Sequence, residues 1–439
     1  MESKKPHVLF ITYPLLGHIN PMLHFAKRLA SKGIKVTLSP PISMINSIKS
    51  DDSDIIIVPY SDGWDTGYMQ ALTPKNYMLG FQQNGLKNIS NLIETLQQST
   101  YPVTCLAYSS YLPLVLGIAK QFDLVGAAFF ISPCSVNVIH YHVHQGHLTA
   151  PVEEQLVISL PGMPSLETRD LPTSITKDSH IFLELCLNQY SNMDEADWLL
   201  FNSFDILEDQ VVEWLKKKWP RKVLTTGSYV PSSNPIPSLS PPILWLDGKE
   251  DRSVVYVAFG SLVELQEEQY VELAWALKES NKHFLWILGD ADNEKLPKEL
   301  KEQLSEKGFI VPWCLQLEVL AHKSIGCFIT HCGWNSTLEA LSFGVPMVAM
   351  PHFLDHTTIA KYVQDVWRVG VRVNKDESGI ISRKDLGDCI EVVMHGDIGK
   401  DINRNADTWK ELMKEAVSVG GNSDMNADVF IASFTTSNK

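Results

Sequence analysis

The sequence predicts an α/β protein built from two doubly wound domains, each a parallel sheet with helices on both faces. Short apolar runs rich in β-branched residues alternate with helix-like segments, as βαβ units require. This alternation runs its course twice. Between the two courses lies SYVPSSNPIPSLSPPI, residues 228–243, a proline- and serine-rich stretch that suits an exposed interdomain linker. A chain of 439 residues is also too long for one ordinary core. The expected division is therefore 1–227, the linker 228–243, a second domain over 244–425, and a helical tail, 426–439, able to return to the first domain.

The elements follow in order. Residues 7–13, HVLFITY, form a continuous apolar run, as expected of a strand buried on both faces. In the segment after it, Asn20 reads as an N-cap and Pro21 as the first residue of a helix over 22–31. His18 then falls in the strand-to-helix turn, where α/β sheets place functional groups. Strands at 36–39 and 55–59, a helix at 75–98, a strand at 104–108, a helix at 112–122, a strand at 126–130 and a helix at 134–146 continue the rhythm. Residues 147–195 break it. Pro151, Pro161, Pro164 and Pro172 suggest irregular loops, the usual material of a variable pocket. A strand at 198–202, a helix at 206–217 and a strand at 222–226 close the first course. The second opens with a strand at 253–259 that leads into Gly260-Ser261. A helix at 267–280 and strands at 284–288, 309–312 and 326–330 follow. Then come a helix at 337–343, a strand at 369–373, a helix at 384–394 and a helical tail to about 436.

Composition excludes several classes. Hydrophobic and charged contents of 44% and 20% are those of a globular protein. A net charge of −14 argues against nucleic acid or an anionic membrane as partner. The apolar run over 8–16 is too short to span a bilayer and contains Pro14, so no membrane insertion is expected. Seven cysteines without a CxxC spacing read as reduced thiols in a cytoplasmic protein. His140, His142, His144 and His147 resemble a metal cluster. On a helix, however, 140 and 144 share a face that 142 does not, and no cysteine or carboxylate completes a set. A pocket wall with His140 or His144 facing in is the better reading.

The most informative segment is the strand at 326–330 with the turn His331-Cys332-Gly333-Trp334-Asn335-Ser336 and the helix behind it. A helix N-terminus presents N–H groups and the positive end of the macrodipole to an anion. Gly333 admits a close backbone approach, Asn335 and Ser336 add donors, and His331 adds a hydrogen bond or a charge. The combination suits a phosphate, yet it is neither a P-loop nor G-x-G-x-x-G.

Residues 313–356 also resemble the plant secondary-product glycosyltransferase box of the UDP-dependent glycosyltransferases. W-C-x-Q, H-C-G-W-N-S-T-x-E, G-V-P and Asp355-His356 stand at that family's spacing. The likeness extends to H-V-L-F-I-x-x-P-x-x-G-H-I-N-P near the start, to Trp245-Leu246-Asp247, and to S-V-V-Y-V-A-F-G-S-L at 253–262. It is nearest to the plant group that glucosylates small hydroxyls and carboxylates. The resemblance implies the glycosyltransferase-B fold, two Rossmann-like domains facing across a cleft. It implies an inverting transfer of a hexose from a UDP-sugar to a hydroxyl or carboxylate of a small apolar acceptor, such as a phenolic, steroid or terpenoid. UDP-sugar is then a co-substrate, with no permanently bound cofactor. A monomer is expected.

Residue by residue, the resemblance has Trp313 stack on the uracil, with the Cys314 backbone and Gln316 at its edge. Glu339 holds the ribose hydroxyls, and it also fits a capping box with Ser336. His331, Gly333, Asn335, Ser336 and Ser261 bind the diphosphate, and Gly17 joins the donor set. Trp334, Asp355 and His356 address the sugar. His18 is the general base, its ordinary pKa near 6.5 suiting the removal of a hydroxyl proton. Tyr13, Leu16, Tyr111, His144 and the loops of 147–195 line the acceptor pocket. The helix N-terminus is expected to serve the diphosphate without a metal, and no D-x-D pair is read as a metal site.

Three positions depart from the family pattern. Ser109 stands where an Asp that holds the catalytic His is expected. Ile131 replaces a Thr that commonly contacts the sugar. His356 replaces a closing Gln that goes with glucose, whereas a His there goes with galactose. The donor sugar is thus left between glucose and galactose. A degenerate member that binds nucleotide or ligand with little turnover is the reading from another class.

Overall fold

The computed structural model describes residues 6–48, 54–153, 156–176, 182–227, 239–260 and 263–435. The first sheet contains β1 (His7–Ile11), β2 (Lys35–Ser39), β3 (Ile55–Ile57), β4 (Cys105–Ser109) and β5 (Val125–Phe130). A small antiparallel hairpin, β6 (Val157–Ile158) and β7 (Leu166–Glu167), follows. The sheet resumes with β8 (Trp198–Phe201) and β9 (Val223–Thr225), in the order β3-β2-β1-β4-β5-β8-β9 with all neighbours parallel. The second sheet comprises β10 (Val254–Ala258), β11 (His283–Ile287), β12 (Gly308–Val311), β13 (Ile325–Thr330), β14 (Met347–Ala349) and β15 (Gly370–Arg372). It is also wholly parallel, in the order β12-β11-β10-β13-β14-β15. Both are doubly wound, Rossmann-like sheets. The strand order reverses beside β1 in one and beside β10 in the other, and ligands bind outside the strand ends at such points.

Burial follows the two-residue period of a strand. Leu9, Ile11, Tyr108, Phe130 and Phe201 face one apolar cluster, and Val8, Phe10, Phe129 and Leu200 face another. The second cluster also takes Ala427, Phe430 and Phe434 from the last helix, Asn422–Thr435. That helix is fastened polarly as well. Asn426 Nδ2 donates to the Thr225 carbonyl at 3.0 Å, and Lys32 pairs with Asp424 at 2.6 Å.

The chain divides into two compact units, Met1–Tyr229 with Ala416–Lys439, and Val230–Glu415. The return to the first unit thus begins ten residues before the expected boundary at 426. Residues 228–238 of the expected linker lie outside the described residues. Its end is not linker at all, because Pro241–Asp247 is helical. The two prolines stand at its first positions, where a missing N–H breaks no intrahelical bond.

Other expectations need correction. The helix after β1 runs Leu16–Ser31, with Pro21 inside it and no capping side chain at Leu15. Asn20 is therefore not a cap, and His18 sits in the first helical turn. A proline early in a helix sacrifices one bond near an end that is short of bonds anyway. The helix expected at 75–98 is Pro74–Gly80 and Leu86–Gln97 joined by one π-helical turn, Phe81–Gly85. Residues 147–195 are less irregular than expected. Ile139, Val152, Ile158, Leu166, Leu171 and Ile175 form a separate apolar cluster there, and Leu183–Asn188 is helical. Among the described residues no helix is long and apolar enough to cross a membrane.

Candidate active site

Two clusters of chemically capable side chains form, one at the C-terminal strand ends of each sheet. In the first unit, β1 and β4 are neighbours, so the helix after β1 brings His18 over the last residue of β4. His18 Nδ1 lies 3.3 Å from Ser109 Oγ, and both residues are buried. Burial pushes the His18 pKa down to about 3, and among the described residues no charged neighbour opposes it. The imidazole is therefore neutral at any working pH. Two aromatic rings hold it. Tyr13 lies 4.9 Å from it, ring centre to ring centre, and Tyr111 lies 4.7 Å away with the two planes at 82°. Tyr68 and Tyr77 extend the cluster, and the Tyr77 hydroxyl donates to the buried Asp62 carboxylate at 3.0 Å. These three residues escaped the sequence reading. Nothing in the pattern around 60–77 ties them to His18, since the chain passes through β2 and β3 in between.

The other residues expected beside His18 are more scattered. Leu16 and Gly17 are exposed in the same helical turn. Ile131 is half-buried and packs on the opposite cluster, with Phe10 and Phe129, so it is not one of the groups around His18. His144 is exposed at a helix end, its ring 6.0 Å from Tyr190. His140 is buried and bonds Ser174 Oγ at 2.8 Å through Nε2. His142 Nδ1 bonds the Val138 carbonyl. These histidines have structural partners, and no group of three metal-ligating side chains occurs among the described residues. One D-x-D spacing, Asp290-Ala291-Asp292, falls in a short helix where Asp292 pairs with Lys295 at 2.6 Å.

In the second unit, β13 ends at Thr330 and the helix begins at Trp334, three residues earlier than expected. The turn between them is tight. Cys332 adopts φ +65°, a left-handed conformation that only a surrounding structure sustains in a non-glycine residue. A Cβ on Gly333 would lie 2.4 Å from His331 Nε2, and one on Gly260 would lie 3.0 Å from it. Glycine at both positions therefore makes room for the imidazole. His331 is buried, which pushes its pKa down to about 4, with the Ala258 backbone opposing weakly. It can supply a hydrogen bond but not a charge at neutral pH, which narrows the sequence-level expectation. Ser261 lies outside the described residues.

The early helix start removes the expected capping box. Ser336 is the third helical residue, not the cap, and no side chain caps Gly333. Instead Gln316 Nε2 donates to Ser336 Oγ at 3.0 Å and to Glu339 Oε2 at 2.7 Å. Tyr256, from the middle of β10, donates to Gln316 Oε1 at 3.2 Å and lies 3.6 Å from Cys314 Sγ. Sequence reading missed Tyr256 because a strand tyrosine looks like core. Poor solvation pushes the Glu339 carboxyl up to about 7, against the Gln316 hydrogen bond. Trp313, just beyond β12, is 61% exposed. It is a flat apolar platform and not a core residue. The Trp334 ring is buried and stacks on Trp367 at 6.0 Å. His356 is buried with its ring 4.7 Å from that of His331, and Asp355 precedes it at the start of the helix His356–Lys361. Burial, then His331 and His352, hold the His356 pKa well below 6.5.

The family model described as UDP-glucoronosyl and UDP-glucosyl transferase matches residues 206–407. UDP glycosyltransferase 9 of Catharanthus roseus is 42% identical, over 97% of this chain and 96% of its own. The chain belongs to the UDP-glycosyltransferase family. UDP-glucosyltransferase 74AE2 of Panax ginseng is 40% identical over 99% of both chains. Os79 of O. sativa, solved in complex with UDP and deoxynivalenol-3-glucoside, superposes with a TM-score of 0.90 at 35% identity, covering 97% of this chain and 100% of that one. The UDP-glycosyltransferase described here is thus an enzyme of the glycosyltransferase-B fold that uses a UDP-sugar as co-substrate.

Proposed function

We propose that this UDP-glycosyltransferase moves glucose from UDP-glucose to a hydroxyl or carboxylate of a small apolar acceptor, in one displacement that inverts the anomeric centre. The observation that carries the reading is the His18–Ser109 contact at the switch point of the first sheet. With Nδ1 engaged by Ser109 Oγ, Nε2 is the atom that takes the acceptor's proton. The acceptor oxygen then bonds the anomeric carbon as the bond from that carbon to the diphosphate breaks. The leaving UDP is stabilised by donors already in place, the turn 331–336 and its helix N-terminus. Trp313 stacks on the uracil, Gln316 holds its edge, and Glu339 accepts the ribose hydroxyls. Asp355 and His356 address the sugar hydroxyls. The aromatic walls supplied by Tyr13 and Tyr111 favour a flat, apolar acceptor. Glucose accords with the name of the Panax relative. A donor-by-acceptor matrix read by mass spectrometry tests the reading. A glucoside of a phenol, terpenoid alcohol or carboxylate is expected, and UDP binding without product from any acceptor would favour a binding protein instead.

One observation favours galactose as a second reading, namely that an imidazole and not an amide closes the sugar end, packed on His331. A neutral imidazole offers one donor and one acceptor at a different reach from those of Gln. His356→Gln is expected to shift the glucose-to-galactose ratio of kcat/KM toward glucose by about fivefold, roughly 1 kcal/mol, the scale of one hydrogen bond. An unchanged ratio would remove His356 from donor selection.

A hydroxyl at 109 orients His18 but does not neutralise the imidazolium that forms. Ser109→Asp is expected to raise kcat on weakly acidic alcohols about tenfold, the worth of one pKa unit of stabilisation. Carboxylate acceptors, which carry no proton to remove, should gain little. Steady-state kinetics on both classes checks this, and equal or lower turnover of alcohols would oppose it.

A further inference from the structure

We propose that Tyr13 and Tyr111 form an aromatic clamp that positions His18 and stabilises its protonated form, in place of the carboxylate absent at Ser109. The inference rests on His18 being the base. Burial disfavours the imidazolium strongly, and no charged group among the described residues offsets it. Ser109, the hydrogen-bond partner of the ring, is neutral. What does surround the ring is a pair of tyrosine rings. Tyr13 lies at 4.9 Å with its plane tilted 37° from the imidazole, and Tyr111 lies at 4.7 Å and 82°. The two tyrosines also touch each other at 5.6 Å. A cation over the face of an aromatic ring, within about 6 Å of its centre, is attracted by the ring quadrupole, more so where water is excluded.

The surroundings strengthen the clamp. The Tyr13 hydroxyl donates to the Tyr68 hydroxyl at 3.1 Å, and donation leaves the phenol ring richer in electrons. Tyr13 packs on Tyr77 at 5.0 Å, and Tyr77 donates in turn to Asp62. Asp62 is fully buried and also accepts from the Trp64 backbone at 2.8 Å. Tyr13 is itself 1% exposed, so its ring is fixed before any acceptor arrives. As the acceptor O–H proton passes to His18 Nε2, positive charge develops on a ring already in contact with both tyrosine rings. The clamp acts through His18, so Tyr13 and Tyr111 are positioning residues for the reaction.

The experiment compares Y13L, Y13F, Y111L and Y111F, each with and without S109D. The acceptors are 2-naphthol, which is weakly acidic, and 2,4,5-trichlorophenol, which is largely ionised already. UDP-glucose hydrolysis, with water as acceptor, is measured alongside. The leucine variants are expected to lower kcat about tenfold on 2-naphthol and in hydrolysis, and less than about threefold on trichlorophenol. Phenylalanine should recover most of what leucine loses, because the ring face remains. S109D should restore more activity to Y13L than it adds to the wild type, since each supplies the same stabilisation. A role confined to acceptor binding would raise KM alike for both phenols and leave hydrolysis unchanged, which would overturn the proposal. So would phenylalanine variants as impaired as leucine ones, or S109D effects that simply add. Failure of the base assignment is separately visible, because H18A would then still turn over 2-naphthol.

Discussion

Replacing His18 with alanine is expected to lower kcat on alcohol and phenol acceptors by about 10²- to 10⁴-fold, the usual range for loss of a general base. UDP binding should be nearly unchanged, because the residues expected to grip the nucleotide, Gly17 apart, belong to the other unit. The buried imidazole bonds one side chain, Ser109, and packs on Tyr13 and Tyr111. Its removal leaves a small cavity and a serine hydroxyl that can turn elsewhere, so the fold should survive. Thermal denaturation with and without UDP checks that point, and steady-state kinetics checks the first. Carboxylate acceptors should lose far less, since they attack without giving up a proton. A loss equal across acceptors would point to a disrupted pocket rather than a missing base.

The second large effect is expected at Glu339. If its carboxylate accepts both ribose hydroxyls, Glu339→Ala removes two hydrogen bonds to a charged group, each worth about 1.5–3 kcal/mol. Part of this is recovered by water, so UDP affinity should fall about 30- to 300-fold by calorimetry. The pH dependence carries a definite sign. In the free enzyme the carboxyl is held up to about 7, so it is protonated below that pH and charged above it. Ribose hydroxyls bind the charged form. UDP affinity should therefore be constant above about pH 8 and weaken below 7, by up to tenfold per pH unit. Glu339→Gln should flatten this limb while retaining one acceptor oxygen. A wild-type affinity that is level between pH 6 and 8 would mean that Glu339 does not hold the nucleotide.

Most of the architecture is legible along the chain, for a simple reason. Strands buried on both faces read as apolar runs, and most strands of the two parallel sheets are of that kind among the described residues. Termini were less legible. The starts at Leu16 and Trp334 precede the residues that look like caps, because tertiary packing over the strand ends outweighs a cap worth about 1 kcal/mol. The capping box read from Ser336 and Glu339 fails for that reason, and the same two residues serve instead as partners of Gln316.

The family is legible in the linear chain, since residues 313–356 are contiguous and their spacing survives in one dimension. The surroundings of His18 and His331, by contrast, arise only on folding. His18 meets Ser109 across 91 positions and Tyr68 and Tyr77 through Tyr13, while His331 meets Gly260 and His356 across strand and helix. Their neutrality is likewise a tertiary property. Charge state depends on how much water the folded chain excludes, and a linear pattern holds no measure of that.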